Sequence, residues 1–348
     1  MAAYAQELRA TSAHNYVDGF GYTYGGFTAR ALRLVGAADE FFPQDRVTIE
    51  VCRQPYVLPN AMLRTKADVL SRLESDAEQR KAPFFDGLHT RLVDYSIAGT
   101  DASTEQKRLT LHLGPIGWYD YSVMRWHTDQ MNRADLTKYI DLEAIARTGS
   151  VVHTKLHNIL DTATTLVTSD GYLLFAQRGT RVSGDETLLS SCVAENIHVQ
   201  KDGSLSENAN IECPAPFRAA LRGIDEEMSP LIAQALVANG SPLFCLGLSF
   251  DLDAYHPDIL FFAALSLTYE QVLKACRERP GQDFFEGHIR GVSLTGMDGS
   301  LARELSREKW TGGGKASALR ALEFVETRAL RGRQAIQRAI GALLPQTH

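Results

Sequence analysis

The chain has 348 residues, of which 44% are hydrophobic and 22% charged, and a formal net charge of −6. These values suit a soluble globular protein and leave room for two domains. The acidic balance excludes general nucleic-acid affinity, so an anionic substrate would need local cations or a metal.

Residues 19–26, G-F-G-Y-T-Y-G-G, lack the G-x-G-x-x-G spacing and read as a loop. Alternation predicts a strand over 46–52, and mixed charge predicts an exposed helix over 67–79. Two more strands are expected at 91–97 and 108–113. Residues 114–133 hold two of the three tryptophans, as a packed core or as an aromatic shelf for a base or sugar. A short helix and linker over 134–148 put a domain boundary near residue 150. Residues 1–150 then form an α+β domain and 151–348 a second domain. His153 and His157 stand four apart, as a metal pair on a helix would, but without the glutamate of H-E-x-x-H a structural role is preferred.

Apolar runs on either side of Asp170-Gly171 predict a hairpin over 164–177, because glycine supplies the turn's positive φ. A strand over 191–199 follows. Over 211–230, Phe217, Leu221, Ile224 and Met228 fall on one helical stripe. Pro214 and Pro216 suit its first turn, and Pro230 its stop. A second helix, 231–239, is capped by Gly240. Strand-length runs at 242–250 and 260–267 flank acidic residues 251–258, before a helix at 269–279 and a short strand at 291–295. T-G-G-G-K-A-S, 311–317, is no phosphate loop, because Ala316 stands where Ser or Thr is required. It starts a last helix, Lys315 to about Leu344, expected to be exposed and packed by one face.

Five cysteines, an odd number without C-x-x-C, argue for reduced thiols and a cytoplasmic setting. The first residues lack the apolar stretch of a signal peptide. The longest apolar run, 259–267, is far short of the ~20 residues that span a bilayer.

The chemistry concentrates in the helix over 211–230. Arg222 and Glu226 are one turn apart, so guanidinium and carboxylate can meet. Glu227 points about 100° away from Glu226. Adjacent carboxylates repel unless a cation lies between them, and Mg²⁺ takes oxygen ligands of this kind. The same pattern also describes a solvated amphipathic helix carrying one Arg–Glu pair.

Arg222, Ile224, Glu226 and Glu227 resemble the core of the Nudix box, the helical signature of the Nudix hydrolases. Gly223 and Ser229 depart from the box, which has Glu and Gly there. Asn208 and Pro214 occupy the places of its upstream Gly and Glu. The order L-H-L-G-P-I-G-W-Y-D-Y, H-N-I-L-D, T-S-D-G-Y-L-L-F-A-Q is similar to the branch containing the mammalian UDP-glucose and UDP-galactose diphosphatase. The resemblance implies an α/β/α sandwich with a mixed sheet for 151–348. It also implies Mg²⁺-dependent hydrolysis, with Mn²⁺ an alternative, of a nucleoside-diphosphate-linked compound by water attacking phosphorus. Glu226 and Glu227 would hold the metal and Arg222 would orient one of them. Gly223 removes a ligand, so Glu195 on the neighbouring strand is the expected third, with Glu212 the alternative. Arg178 or Arg181 would meet a phosphate, or form surface salt bridges. A homodimer is among the expected assemblies. The incomplete box leaves open a non-catalytic nucleotide or sugar sensor, or an interaction protein.

Overall fold

The structure, a computed structural model, describes residues 21–24, 26–36, 40–80, 84, 86–99, 107–179, 187–206, 213–240, 242–284, 287–294, 300–307 and 309–328. Its strands are β1 Tyr22–Tyr24, β2 Phe27–Ala29, β3 Ala31–Val35, β4 Val47–Val51, β5 Leu88–Ala98, β6 Arg108–Gly117, β7 Asp161–Val167, β8 Tyr172–Arg178, β9 Leu189–Ser191, β10 Val193–Asn196, β11 Phe244–Asp251, β12 His256–Ala264 and β13 Gly287–Ser293. The helices that matter below are α1 Lys66–Arg80, α2 Trp118–Gln130, α3 Leu142–Thr148, α4 Val199–Asp202, α5 Ala215–Gly223, α6 Pro230–Ala238, α7 Tyr269–Glu278 and α8 Gly312–Arg328. The chain is mixed α/β with two mixed sheets and a small β1–β2 hairpin.

The large sheet runs β13-β8-β7-β12-β11-β3, with β9 on β8 and β10 on β7. The expected hairpin forms at Asp170-Gly171, where Gly171 takes φ 83° and its N–H donates to the Thr168 carbonyl. Its two strands pair only at Val167–Leu173 and then splay apart. The chain from 189 to 196 pairs first with β8 and then with β7. The single strand expected over 191–199 is therefore broken at Cys192, and its C-terminal end turns into α4. β12 is parallel to β7, which sets Asp258 opposite Asp161. The sheet's far edge is β3, so residues before 150 complete this sheet as well as forming the small one.

Alternation along β12 divides the core. Ile259, Phe261 and Ala263 join one apolar cluster, whereas Leu260, Phe262 and Ala264 join another. Phe217 of α5 packs edge-on against Phe261, with ring centroids 4.9 Å apart. Phe324 of α8 meets Phe262 at 5.5 Å. Helices thus cover both faces of the sheet. α8 is not the exposed helix its Arg and Ala content suggested: residues 312–325 are buried apart from half-buried Leu322. Gly, Ala and Ser let its backbone approach the sheet closely, and the β1–β2 hairpin lies against it. Arg320 and Glu323 are buried together, Arg320 donating to the Leu246 carbonyl at 3.1 Å and Tyr22 to Glu323 at 2.7 Å. The expected extension of this helix to 344 lies outside the described residues.

The small sheet is β4-β6-β5, β4 parallel and β5 antiparallel to β6. β5 joins it to the large sheet: Thr90 donates to the Ile197 carbonyl and accepts from the Leu160 N–H, both at 2.9 Å. One local expectation is corrected. Of the loop expected over 19–26, residues 22–24 form strand β1, paired with β2. His153 lies in a 3-10 turn and His157 in irregular chain, so they are not one turn apart on a helix.

Candidate functional site

α5 starts where the prolines allow, with Pro214 as its cap and Pro216 in the first turn. Phe217, Ile224 and Met228 are buried and Leu221 partly so, as the stripe requires. The helix does not continue regularly. Residues Ile224–Met228 form a π-helical turn, closed by the Ser229 N–H on the Ile224 carbonyl at 3.0 Å. Such turns are rare and recur at functional sites. Pro230 does not simply stop the helix but begins α6, with Ser229 accepting from the Leu231 N–H.

Glu226 and Glu227 lie on this turn, and Arg222 organises what surrounds it. Its Nε and Nη2 donate to Asp202 Oδ1 and Oδ2 at 3.0 and 2.9 Å. Its Nη1 lies 3.0 Å from Glu195 Oε2 and 3.0 Å from Glu226 Oε2, and Nη2 also donates to the Asn196 carbonyl at 2.9 Å. The Arg222 side chain is 15% exposed and that of Asp202 1%. Asp202 is fixed by α4: its Oδ2 accepts from the His198 N–H at 2.7 Å, and His198 Nδ1 caps the helix. Lys201 adds a second cation, 3.4 Å from both Glu226 oxygens. Glu227 accepts from the Ala194 N–H at 3.2 Å.

Burial alone would lower the Arg222 pKa, but its bonds to Asp202 and Glu195 outweigh that and raise it. Glu195 is pushed up to about 7, chiefly by burial. The guanidinium opposes that rise, but it is shared with other carboxylates, and Glu226 adds repulsion. Gly223 packs against β10 so closely that a Cβ would lie 2.5 Å from Val193 Cγ1 and 3.1 Å from Glu195 Cβ. Strand and helix therefore touch where the Nudix box has a glutamate, and the carboxylate beside that contact comes from the strand.

The structure brings Arg222, Glu226 and Glu195 together, with Glu227 bonded to the adjacent strand. Arg178 is not among them: it ends β8, and its charge acts on Asp161. Arg181 and Glu212 lie outside the described residues. Asp202, Lys201 and Asp283 escaped the sequence reading. Asp283 approaches because Gly281 allows it: a Cβ there would lie 2.1 Å from the Glu226 carbonyl, to which the Asp283 N–H donates at 2.8 Å. Burial and Glu226 raise the Asp283 carboxyl pKa.

A second cluster lies at the N-terminal ends of β7 and β12. Among the described residues, Asp161, His256 and Asp258 form the group of three whose candidate ligand atoms all fall within 4.8 Å of one another. His256 Nε2 is 3.2 Å from Asp161 Oδ2 and 3.6 Å from Asp258 Oδ1. Burial pulls His256 down, but the two carboxylates raise it to about 9. Burial pushes Asp258 up to about 7, and raises Asp161 also. The sequence reading did not find this cluster, because only the parallel register of β7 and β12 brings Asp161 beside Asp258.

Rings link the two clusters. Trp118 of α2 meets His89 at 5.0 Å, and His89 meets His198 beside Asp202 at 4.9 Å. Trp118 also meets Tyr121 at 4.8 Å, Tyr121 meets His157 at 4.7 Å, and His157 meets His256 at 6.1 Å. The aromatic stretch of the first 150 residues thus borders both sites. Burial lowers His89 to about 4, helped by the charges of His198 and Arg222.

No protein-family model matches the chain, and no curated protein is significantly similar to it. All five cysteines are unpaired. Among the described residues no helix is long and apolar enough to cross a membrane.

Proposed function

We propose that the chain is a Mg²⁺-dependent hydrolase of a nucleoside-diphosphate-linked compound, with a Nudix-type α/β/α sandwich around the large sheet. The observation that carries this reading is the meeting of Glu195 and Glu226 at one nitrogen of Arg222, which gathers strand and helix carboxylates beside the π turn. The splayed hairpin, following strand and box helix come in the order the resemblance implies. Glu195, Glu226 and Glu227 supply only oxygen donors, the chemistry Mg²⁺ takes, and burial of Glu195 beside Glu226 makes a cation favourable there. When bound, Mg²⁺ would lower the pKa of water and neutralise phosphate oxygens, and Mn²⁺ could replace it. Arg222 holds Glu195 and Glu226 in place, Asp202 holds Arg222, and Lys201 offers a charge to an anionic substrate. Trp118 and His89 border the site as surfaces for a base or sugar ring. The test is a screen of nucleoside diphosphate compounds with Mg²⁺ or Mn²⁺, read by phosphate release. Release from one class, lost without metal, is expected; no release from any class defeats the reading.

A second reading, a nucleotide or sugar sensor without turnover, is favoured by one observation. Each of the three carboxylates is already engaged, Glu195 and Glu226 by Arg222 and Glu227 by the Ala194 N–H. Saturable ligand binding without phosphate release would support it.

A further inference from the structure

We propose that Asp161, His256 and Asp258 form a divalent-metal site of the zinc class, separate from the carboxylates around Arg222. This site does not rest on the hydrolase reading.

The first argument is spacing. Zinc binds imidazole nitrogen and carboxylate oxygen at about 2.0–2.2 Å, which puts neighbouring ligand atoms of a tetrahedron about 3.4 Å apart. His256 Nε2 stands 3.2 and 3.6 Å from the two aspartate oxygens. One imidazole with two carboxylates is a donor set for borderline divalent ions. Three protein ligands leave a fourth position open, as in catalytic zinc sites.

The second argument is polar atoms without partners. Asp161 Oδ1 and Asp258 Oδ2, the second oxygens of the two carboxylates, are buried and make no hydrogen bond. Such groups are rare in folded proteins unless a water or ion meets them. His157, beside His256, is fully buried and adds an independent case. Its Nδ1 accepts from the Ile159 N–H at 3.0 Å, so the neutral ring carries its proton on Nε2. That Nε2 donor is buried without an acceptor. A water or anionic oxygen at the open metal position supplies one.

The third argument is that the wall is built to fit. A Cβ on Gly313 would lie 2.3 Å from Asp258 Oδ2. The first turn of α8 closes on the carboxylate only because that residue is glycine. The Gly313 N–H itself donates to Asp251 Oδ2 at 2.7 Å, which leaves the Asp258 carboxylate for another partner.

The test uses the full chain stripped with chelator, supplied with excess Mg²⁺ to fill the carboxylates around Arg222 and titrated with Zn²⁺ or Co²⁺, followed by calorimetry and visible absorption. One equivalent is expected, with the bands of four-coordinate Co²⁺ and no thiolate charge-transfer band. Asp258→Asn and His256→Gln should each weaken binding at least about tenfold, since even the partners of metal ligands matter that much. Glu226→Gln should retain it. If the variants do not fold, the Co²⁺ spectrum of the unmodified chain still decides, because thiolate bands or six-coordinate bands overturn the site. Absence of binding, or binding unchanged in Asp258→Asn, also overturns it, leaving His256 as a protonated bridge between two aspartates. Binding lost in Glu226→Gln but kept in Asp258→Asn overturns it as well, and places the metal at the box.

Discussion

Arg222 and Asp202 are joined by two parallel bonds, Nε to Oδ1 at 3.0 Å and Nη2 to Oδ2 at 2.9 Å, in a nearly buried setting. Removing the Asp202 charge leaves Arg222 with Glu195 and Glu226 but weakens two hydrogen bonds between charged groups, at a cost of about 1.5–3 kcal/mol. Asp202→Asn should lower stability by that order in urea unfolding. It should also loosen Glu226, because the guanidinium loses its anchor. A change below about 1 kcal/mol, the usual scale of a surface pair, would show that the pair is not buried in solution.

Glu226→Gln should abolish any phosphate release found in the screen while leaving the unfolding midpoint nearly unchanged, because the isosteric amide keeps an oxygen to accept from Arg222 Nη1. Glu195→Gln should reduce turnover by a smaller factor and weaken metal affinity. Unaltered turnover and metal affinity in Glu195→Gln would remove the strand carboxylate from the site.

Placing the glutamate of the Nudix box at position 223 should harm the fold. Gly223→Glu drives a Cβ to 2.5 Å from buried Val193 Cγ1, and overpacking of this kind costs about 1–3 kcal/mol. The helix gains up to about 1 kcal/mol from losing a glycine, which does not offset it. Val193→Ala combined with Gly223→Glu should recover part of the loss as a coupling energy. Strict additivity of the two changes would argue against contact between helix and strand at this point.

Acid should destabilise the protein through its histidines. His89 titrates near 6.5 when unfolded and about 4 when folded. Between those values the unfolded chain binds a proton that the folded chain refuses, so this stability is complete above pH 6.5 and lost as pH falls toward 4. The gap from 6.5 to about 4 corresponds to on the order of 3 kcal/mol. His157 and His198 shift in the same direction. His89→Phe should flatten the profile between pH 7 and 4, since His89 Nδ1 has no partner to lose. An unchanged slope in the variant would rule His89 out as a source.

What was legible in the sequence was local. Asp170-Gly171 announced its turn through glycine, and Phe217, Ile224 and Met228 announced their buried stripe through helical spacing. Glu195 could be paired with Glu226 only through the resemblance, since nothing in its own neighbourhood points to Arg222. The π turn left no periodic trace because one extra residue barely disturbs a five-residue window. Asp161 and Asp258 escaped altogether, because a parallel register between distant strands has no local signal. The burial of α8 was hidden by Arg320 and Glu323, which satisfy each other and the backbone rather than water.

The edge strand β3 has a consequence for the order in which the chain assembles. Val35 takes Leu248 as its partner, more than two hundred positions later. Asp161 likewise waits for Asp258. Contacts between such distant segments carry a large loop-closure entropy and slow folding. A ribosome must therefore release most of the chain before β3 can dock. Until β11 and β12 are in place, the Asp161–His256–Asp258 cluster does not exist. The box helix can coil earlier, but β7, the strand that holds β10 beside it, still lacks its β12 neighbour. In hydrogen exchange, amides of β3 and β12 should gain protection together, in the last kinetic phase.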